Sequence, residues 1–250
     1  MKKIGLLMFL VFIASCSVSF AINDPSLIFY CPFDEGSGNT AKDVRSGLEG
    51  KLNGGAKWTA KGKVGSGIEF TGAADFVEFP EDAVMDITEA ITMEAWILPN
   101  EVQADSGLMG RRDSANVGGY CMQWTAGMIE IWIHIGGWQG TRGKQTVKPK
   151  TGEWHHVAGV FTGTEILQYV DGELDIKFSQ AGKAGSVKQP FRIGQAQTSL
   201  SAMFGIMDEV AVYNRALDAD EINMDMTKGV IAPVSPAGSI SALWGKIKSM

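Results

Sequence analysis

Between positions 27 and 214 the chain consists of short apolar segments that are separated by turn residues. The segments are rich in Val, Ile, Phe, Trp and Tyr and are bounded by Gly, Asp, Asn or Pro, which is the pattern of β-strands. Many such segments in succession are typical of a sandwich or a barrel, so we expect an all-β fold. The predicted strands are Leu27–Phe33, Gly67–Thr71, Phe76–Phe79, Ile91–Leu98, Met128–Ile135, Trp154–Phe161, Ile166–Val170, Leu174–Phe178, Phe191–Ile193 and Ile206–Tyr213.

One hairpin and one helix have local signals of their own. Asp171-Gly172 lies between two strand-like segments, and a type I′ turn needs positive φ angles at both of its central residues. Further along, Asp218 can cap a helix, with Glu221 three residues later as in a capping box and Ile222 as an apolar contact. We therefore predict a tight hairpin and one short C-terminal helix.

The N-terminus has the pattern of an export signal. A basic pair at positions 2 and 3 precedes the apolar run 4–14, and small residues offer a cleavage site after Ala21. The run is too short to span a membrane. We predict that residues 1–21 are a signal peptide. In a second interpretation, the tetrapeptide that ends at Cys16 resembles a bacterial lipobox, which would make Cys16 a lipid anchor; both interpretations predict an exported protein.

The charge balance disfavours nucleic acid as a partner. The 22 Lys and Arg residues are outnumbered by 28 Asp and Glu residues, which gives a formal net charge of −6. An acidic protein without a run of basic residues repels phosphate backbones and anionic membrane surfaces. We therefore expect no nucleic acid partner, and the export signal predicts a secreted, periplasmic or cell-surface location.

The predicted elements fall within one region of the chain. Residues 22–228 contain all the strands and the helix, with no internal repeat, and are predicted to form a single domain. Residues 229–250 begin with a connector that contains Gly and Pro, followed by apolar residues at helical spacing between Ile240 and Ile247. This tail either docks on the domain or frays, or else it serves as an attachment segment.

Two cysteines, Cys31 and Cys121, lie inside the predicted domain. They could form a disulfide in an oxidising compartment. However, Cys31 shares its strand face with Leu27 and Phe29, and free cysteines are often small buried hydrophobic residues, so burial without a bridge is favoured and pairing stays open. No Cys/His spacing in the sequence indicates a zinc site.

Six motifs, taken together and in order over residues 27–222, resemble the laminin-G-like, concanavalin A-type jelly-roll family. Each motif alone is weakly specific, but their common order makes the resemblance strong. The motifs are Phe33–Gly38 followed by Ala41–Asp43, Gly67–Gly72 with Asp75–Val77, Ile91–Trp96, Trp154–Ala158, Tyr169–Gly172, and Phe204–Val210 with Tyr213–Leu217.

The resemblance implies two antiparallel sheets packed face to face, and a structural calcium ion near the first and last strands. The matching positions are Asp34, at the end of the first strand, and Asp208, at the start of the last strand. Calcium takes six to eight oxygen ligands, so Asp43 or backbone carbonyls of the loop 36–47 would have to complete the shell. In the alternative interpretation, Asp34 and Asp208 are turn and edge residues without a metal.

The same fold also occurs in glycoside hydrolases, so catalysis has to be judged from the residues. Retaining enzymes need two carboxyl groups about 5–5.5 Å apart, which jelly-roll glucanases usually place on one strand as Glu-x-Asp-x-x-Glu. The sequence has no such motif: Met128–Ile135 contains only Glu130, and Ile91–Leu98 contains only Glu94. His155-His156 has no neighbouring Ser or Cys. We predict that the protein is not an enzyme.

A binding role is predicted from alternation in one strand. Isoleucine occupies every second position from 129 to 135, which forces Glu130, Trp132 and His134 onto the opposite face. An indole ring beside hydrogen-bonding groups suits a sugar ring, and Trp138 in the Gly-rich loop that follows could extend the surface. Alternatively, the 136–150 loop covers Trp132.

Together, these observations predict an exported, non-catalytic binding module. Its ligand is expected to be a carbohydrate or glycoconjugate at the cell surface. The alternative is a protein-adhesion or spacer module of the cell envelope, with a surface protein as its partner and its loops as the contact region.

Overall fold

The computed structural model describes residues 24–112, 118–197 and 200–230. The predicted signal peptide with Cys16, and tail residues 231–250, lie outside these ranges, so their assignments stay predictions. Within the described ranges, no helix has both the length and the apolar content needed to span a membrane.

In these ranges the chain forms seventeen strands, one 3-10 turn (Ala83–Met85) and one α-helix. The predicted strands are all present, with ends that differ from the prediction by at most two residues. The elements are β1 (Leu27–Cys31), β2 (Thr40–Lys42), β3 (Glu49–Asn53), β4 (Lys57–Thr59), β5 (Gly67–Phe70), β6 (Phe76–Phe79), β7 (Ile91–Pro99), β8 (Ser106–Arg112), β9 (Gly119–Thr125), β10 (Met128–His134), β11 (Trp138–Gly140), β12 (His155–Phe161), β13 (Glu165–Val170), β14 (Glu173–Ser179), β15 (Phe191–Ile193), β16 (Ser201–Ala202), β17 (Gly205–Tyr213) and α1 (Ala219–Lys228).

The strands form two sheets. The first sheet has the order β14-β13-β12-β7-β17-β5-β4, and β1 also pairs with β17. The second has the order β11-β10-β9-β8-β15-β6-β3-β2, and the short strand β16 runs parallel to β8 while the neighbours along that order are antiparallel. The predicted hairpin joins β13 to β14, with φ angles of 52° at Asp171 and 80° at Gly172. The two-sheet antiparallel sandwich predicted from the sequence is therefore confirmed.

The hydrophobic core lies between the sheets. Met93 and Ile97 alternate with outward-facing residues along β7 and are completely buried. Phe29 of the first sheet meets Phe79 and Phe191 of the second edge-on, with ring centroids 4.8 and 4.9 Å apart. Such ring pairs contribute about 0.5–1.5 kcal/mol each beyond the burial of their area. These contacts hold the sheets together and leave both outer faces available for other roles.

Helix α1 packs on the outer face of the first sheet. Ile222 is completely buried there and belongs to one apolar cluster with Ala158 and Ala211. The Asp218 carboxylate accepts the Glu221 N–H at 2.9 Å, and the Glu221 carboxylate accepts the Asp218 N–H at 3.0 Å, which confirms the predicted capping box. The helix covers part of this face and leaves the area beyond its C-terminal end open.

Cys31 and Cys121 are both completely buried, in different sheets, and both are free thiols. Burial raises the pKa of Cys31 well above its usual value and that of Cys121 to about 11. The Cys31 thiol donates a hydrogen bond to the carbonyl of Lys42, with the sulfur 3.4 Å from the oxygen. Both thiols are therefore held in the protonated, unreactive form at neutral pH.

Candidate functional site

Strand β10 has the alternation that the sequence predicts. The side chains of Ile129, Ile131 and Ile133 are completely buried between the sheets. Trp132 and His134 lie on the outer face of the second sheet and are partly exposed. One indole ring and one imidazole ring are therefore available on this face, as expected.

The indole ring of Trp132 is flanked by other residues but is not covered by them. Its indole N–H donates to Glu130 at 3.0 Å, and the guanidinium of Arg142 lies 5.5 Å from the ring centre. A Cβ atom at Gly140, the residue opposite Trp132 on β11, would come within 2.6 Å of the ring, so only glycine allows the strand to approach this closely. The 136–150 segment thus flanks Trp132 and leaves part of the ring exposed.

Trp138 was expected in a loop, but it begins an edge strand. Strand β11 pairs with β10, which places Trp138 opposite His134 with the two rings 5.4 Å apart and nearly perpendicular. The guanidinium of Arg112 lies 4.3 Å from the Trp138 ring centre. The loop prediction was wrong because a three-residue edge strand has too few residues to show alternation.

We call this surface the tryptophan platform: Trp132, His134, Trp138, Arg112 and Arg142. A shallow hollow of about 250 Å³ lies beside Trp132 and Arg142. Glu130, which is only 2% exposed, accepts two hydrogen bonds from Arg142 at 3.0 and 3.1 Å and fixes the guanidinium next to the ring. The platform therefore combines apolar ring faces with charged hydrogen-bonding groups held in place.

Each of the three aspartates predicted as calcium ligands accepts hydrogen bonds from backbone N–H groups. Asp43 is completely buried, and its carboxylate accepts the N–H groups of Tyr30, Arg45 and Ser46 as well as the Ser46 hydroxyl. These four donors occupy the lone pairs that a cation would need. Asp43 is a turn residue, and its assignment as a ligand is not supported by this geometry.

Asp208 and Asp34 contact the same loop, residues 61–66, from two sides. Asp208 is completely buried and accepts the N–H groups of Val64 and Glu209 at 3.0 and 2.9 Å, whereas Asp34 accepts the N–H of Ser66 at 3.3 Å. Strand β1 does pair with β17, as predicted. Burial raises the pKa of Asp208 to about 8, against the effect of its backbone hydrogen bonds.

The chemistry of this donor set does not match calcium. Calcium requires six to eight oxygen ligands, whereas amide N–H groups surround Asp208 and Asp43. In the part of the chain that the structure describes, no three His, Cys, Asp or Glu side chains come close enough together to hold a metal ion. The residues thus act mainly as anchors for the loop 61–66 and for the turn after β2.

A second candidate site, which sequence analysis missed, lies on the opposite face of the sandwich. It is a cleft of about 720 Å³ between the outer face of the first sheet, the loop 61–66 and the C-terminal end of α1. We call it the helix-end cleft. The residues that define it are Tyr30, Asp34, Lys63, Trp96, Glu209 and Asp225. Its volume is in the range of small-molecule sites.

Behind the cleft lining, the sheet buries a cluster of ionisable groups. Glu94 is completely buried, and neither of its carboxyl oxygens has a hydrogen-bond donor among the described residues; His156 Nε2 lies 3.7 Å away. Burial first, and then the charge of Asp225, raises the pKa of Glu94 well above its usual value. Burial likewise lowers the pKa of His156 to about 4. His156 is therefore neutral near pH 7, and burial favours the protonated form of Glu94.

The sequence did contain a signal for this cleft. Alternation along β7 places Met93, Ala95 and Ile97 in the core, so Glu94 and Trp96 must lie on the outer face. The same alternation places Trp132 on the outer face of the second sheet. Alternation alone does not reveal a cleft on β7, because no local pattern shows which outer-face residues a helix distant in sequence leaves uncovered.

The fold is that of a concanavalin A-like β-sandwich. The chain belongs to the Laminin_G_3 family of the concanavalin A-like lectin/glucanases superfamily, whose sequence profile matches residues 71–223. Among curated proteins, none is similar enough in sequence to match.

Several solved structures share the fold at low sequence identity. Domain 4 of AbnA, a GH43 extracellular arabinanase from Geobacillus stearothermophilus in complex with arabinotriose, is 17% identical, with a TM-score of 0.66 over 79% of this chain and 97% of that one. The binding domain of Paraclostridial Mosquitocidal Protein 1 is 13% identical, with a TM-score of 0.65 over 81% of this chain and 52% of that one. A Trypanosoma rangeli sialidase is 15% identical, with a TM-score of 0.61 over 85% of this chain and 34% of that one. These similarities establish the fold.

Proposed function

We propose that this protein is a non-catalytic module that binds carbohydrate, or the glycan of a glycoconjugate, through the tryptophan platform. The observation that carries the proposal is the pair of partly exposed indole rings, Trp132 and Trp138, on one outer face beside fixed charged groups. Sugar rings present CH groups that pack on aromatic faces and hydroxyls that need donors and acceptors. The platform offers both kinds of contact in one place.

The similarity to domain 4 of the arabinanase supports the same ligand class. Its structure was determined with arabinotriose bound, and its 97% coverage means that the two sandwiches correspond over nearly the whole of that domain. At 17% identity the ligand itself does not transfer. The proposal therefore names carbohydrate as a class and leaves the particular sugar to experiment.

The ion pairs of the acids beside the platform support a non-catalytic role. Glu130 and Asp105 both form ion pairs with Arg142, at 3.0 and 2.6 Å. A glycosidase needs two carboxyl groups that flank the scissile bond. The two carboxyl groups beside the platform instead bind the same guanidinium, and Glu130 is only 2% exposed, so they do not present such a pair to a ligand.

Export is part of the proposal and rests on the N-terminal sequence pattern. A basic pair, an apolar run and small residues before position 22 are typical of a signal peptide. Mass spectrometry of the exported protein should find a chain that begins at Ile22. A diacylated Cys16 at the N-terminus would favour the lipoprotein instead.

Glycan binding can be tested with the full chain on a glycan array, followed by calorimetric titration of the best ligand. Replacing Trp138 or Trp132 by alanine removes one ring face, so affinity should fall roughly tenfold or more. Because both rings are partly exposed, each change should cost less stability than the about 3–5 kcal/mol of a core aromatic.

A matched control is available on the other sheet. Trp58 on β4 is also partly buried, and its indole N–H donates to the Gly38 carbonyl at 3.0 Å. Trp58→Ala should lose a comparable contact and retain glycan binding. Undiminished affinity in both Trp132→Ala and Trp138→Ala would remove the platform from consideration.

Protein adhesion is the second candidate function, and the helix-end cleft favours it. The cleft is larger than the hollow on the platform, about 720 against 250 Å³, and two exposed valines, Val44 and Val64, lie at its rim. Exposed apolar side chains beside polar groups are common at protein-binding sites.

A further inference from the structure

One wall of the helix-end cleft already holds an ammonium group. The Nζ atom of Lys63, an exposed residue of the loop 61–66, lies 3.7 Å from the centre of the Trp96 ring. A cation at this distance is attracted by the negative face of the indole. Since Lys63 comes from a loop and not from the sheet, an external cation of the same kind could replace it.

The floor of the cleft is acidic. Glu209 is only 8% exposed, and its carboxylate accepts the Tyr30 hydroxyl at 2.5 Å. Asp34 and Asp225 add two more carboxyl groups to the lining. The carboxylate of Asp225 accepts the Tyr213 hydroxyl at 2.6 Å. Burial raises the pKa of Glu209 and of Asp225, so a cation placed beside either carboxyl group would stabilise its charged form.

The backbone at the floor is held in an uncommon conformation. Glu209 has a φ of 53°, at the irregularity where β17 changes its pairing between Asp208 and Ala211. Phe33, next to Asp34, has the same φ of 53°. Non-glycine residues in this region are strained. Met207 and Val210 both belong to the core, and the irregularity between them keeps Glu209 out of it.

The helix end adds to the negative potential. Residues 225–229, the last turn of α1 and its cap, line the cleft. The C-terminal end of a helix carries about half a negative charge from its aligned peptide dipoles. The lining contains three carboxyl groups, those of Asp34, Glu209 and Asp225, and two ammonium groups, those of Lys63 and Lys228. The excess of carboxyl groups, the helix end and the indole face favour a positive group, while Val44 and Val64 provide apolar contacts at the rim.

We infer that the helix-end cleft binds an alkylammonium group, as presented by a lysine side chain of a partner protein, with the ammonium over Trp96 facing Glu209 and the methylene chain against the valines. In this arrangement Lys63 is the internal competitor that the ligand displaces. The site lies on the face opposite the tryptophan platform, so it goes beyond the proposed glycan binding and is independent of it.

Isothermal titration of the full chain with Nα-acetyl-lysine N-methylamide tests the inference. For a ligand of this size we expect a Kd on the order of 1 mM. The norleucine analogue has nearly the same shape without the charge and should not bind. Titrations with cadaverine and with glucosamine show whether the site prefers an alkylammonium group or an amino sugar. If the lysine amide and cadaverine bind and glucosamine does not, the ligand is a lysine side chain and not an amino sugar.

Two substitutions give opposite results if the inference is right. Glu209→Gln keeps an acceptor for the Tyr30 hydroxyl but removes the charge, so binding of the lysine amide should fall at least tenfold. Lys63→Ala removes the competitor, and the affinity should rise about two- to fivefold. Glu153→Gln, a change at an exposed acid that is not in the cleft lining, is the matched control and should bind as the wild type does.

Several outcomes would overturn the inference. These are equal binding of the norleucine analogue, weaker binding in Lys63→Ala, or no heat change up to tenfold above the expected Kd. The melting temperature of Glu209→Gln shows whether that variant is folded, and Lys63→Ala, at an exposed position, provides a second test. Trp132→Ala should retain lysine-amide binding, so a failure of the glycan proposal and a failure of this one are distinguishable.

Discussion

At the scale of the residue, the hydrogen-bond partners of an acidic side chain indicate its role better than its position in the sequence does. Asp34, Asp43 and Asp208 are of the residue type that calcium prefers, but only Asp208 lies within a strand, β17, which pairs with β1. The carboxylates of Asp43 and Asp208 accept several N–H groups, and that of Asp34 accepts the N–H of Ser66 at 3.3 Å. By contrast Glu94 is a completely buried carboxyl group whose oxygens accept no hydrogen bond from the described residues.

Glu94 should make stability depend on pH. Its pKa in the folded protein lies above the unfolded value of about 4.3, so the folded state keeps a proton that the unfolded state loses as pH rises. The free energy of unfolding should therefore fall as pH increases from about 4.3 towards the folded-state pKa. Glu94→Gln cannot ionise and should weaken this alkaline decline, as urea denaturation at pH 5, 7 and 9 would reveal.

Two ionisable neighbours of Glu94 also make the free energy of unfolding depend on pH. Asp225 from α1 also has a raised pKa, so part of the decline should remain in the variant. His156 from β12 has its pKa lowered to about 4, which removes stability on the acid side as pH falls below about 6.5. Glu49→Gln, at an exposed acid on β3, should leave the profile unchanged. Parallel profiles for wild type and Glu94→Gln would contradict the assignment.

At the scale of the element, helix α1 is the part of the fold on which the cleft depends. Its capping box was predictable because Asp218 and Glu221 interact within one turn of chain. Its docking was not, since the surface that it covers comes from β12, β13 and β17, which are distant in sequence. The helix end forms one wall of the cleft only because of that docking.

Replacing Ile222 by alanine should therefore destabilise the protein by about 2–5 kcal/mol, because its side chain is completely buried between α1 and the first sheet. Chemical denaturation measures the change. Asp220→Ala, at an exposed position of the same helix, should cost much less. Equal stability of the two variants would contradict the packing of α1 on the first sheet.

Several of the strands that sequence analysis missed show no alternation in their own residues. Strand β8, Ser106–Arg112, has two glycines and two arginines and is buried at six of its seven positions, so it shows no alternation. Strands β2, β4 and β11 have three residues each, too few for a period of two to be visible. Their conformation is fixed by hydrogen bonds to neighbours in the sheet and not by their own composition.

At the scale of the whole molecule, the sandwich separates two surfaces of different chemistry. The tryptophan platform lies on the outer face of the second sheet, and the helix-end cleft on the outer face of the first. Because the core lies between them, a surface change on one face should leave binding on the other intact.

Calcium should not stabilise this molecule, in contrast to what the family resemblance implies. A ligand that binds only the native state raises the melting temperature in proportion to the logarithm of its concentration. The carboxylates of Asp43 and Asp208 already accept hydrogen bonds from backbone N–H groups, which compete with calcium for the same oxygens. Melting curves in EDTA and in millimolar calcium should therefore coincide. An increase with calcium that Asp34→Asn abolishes would restore the predicted site.

The sequence by itself determined the class of fold, ten of the strands, the tight hairpin at Asp171, the capped helix and the orientation of Trp132. All of these depend on residues within a few positions of each other, through alternation, turn geometry or capping. The tertiary structure alone decided which carboxyl groups meet, where α1 docks and which outer-face residues stay open. Those properties depend on the pairing of strands far apart in the chain, such as β1 with β17, and the residues that such pairing brings together have no common local pattern.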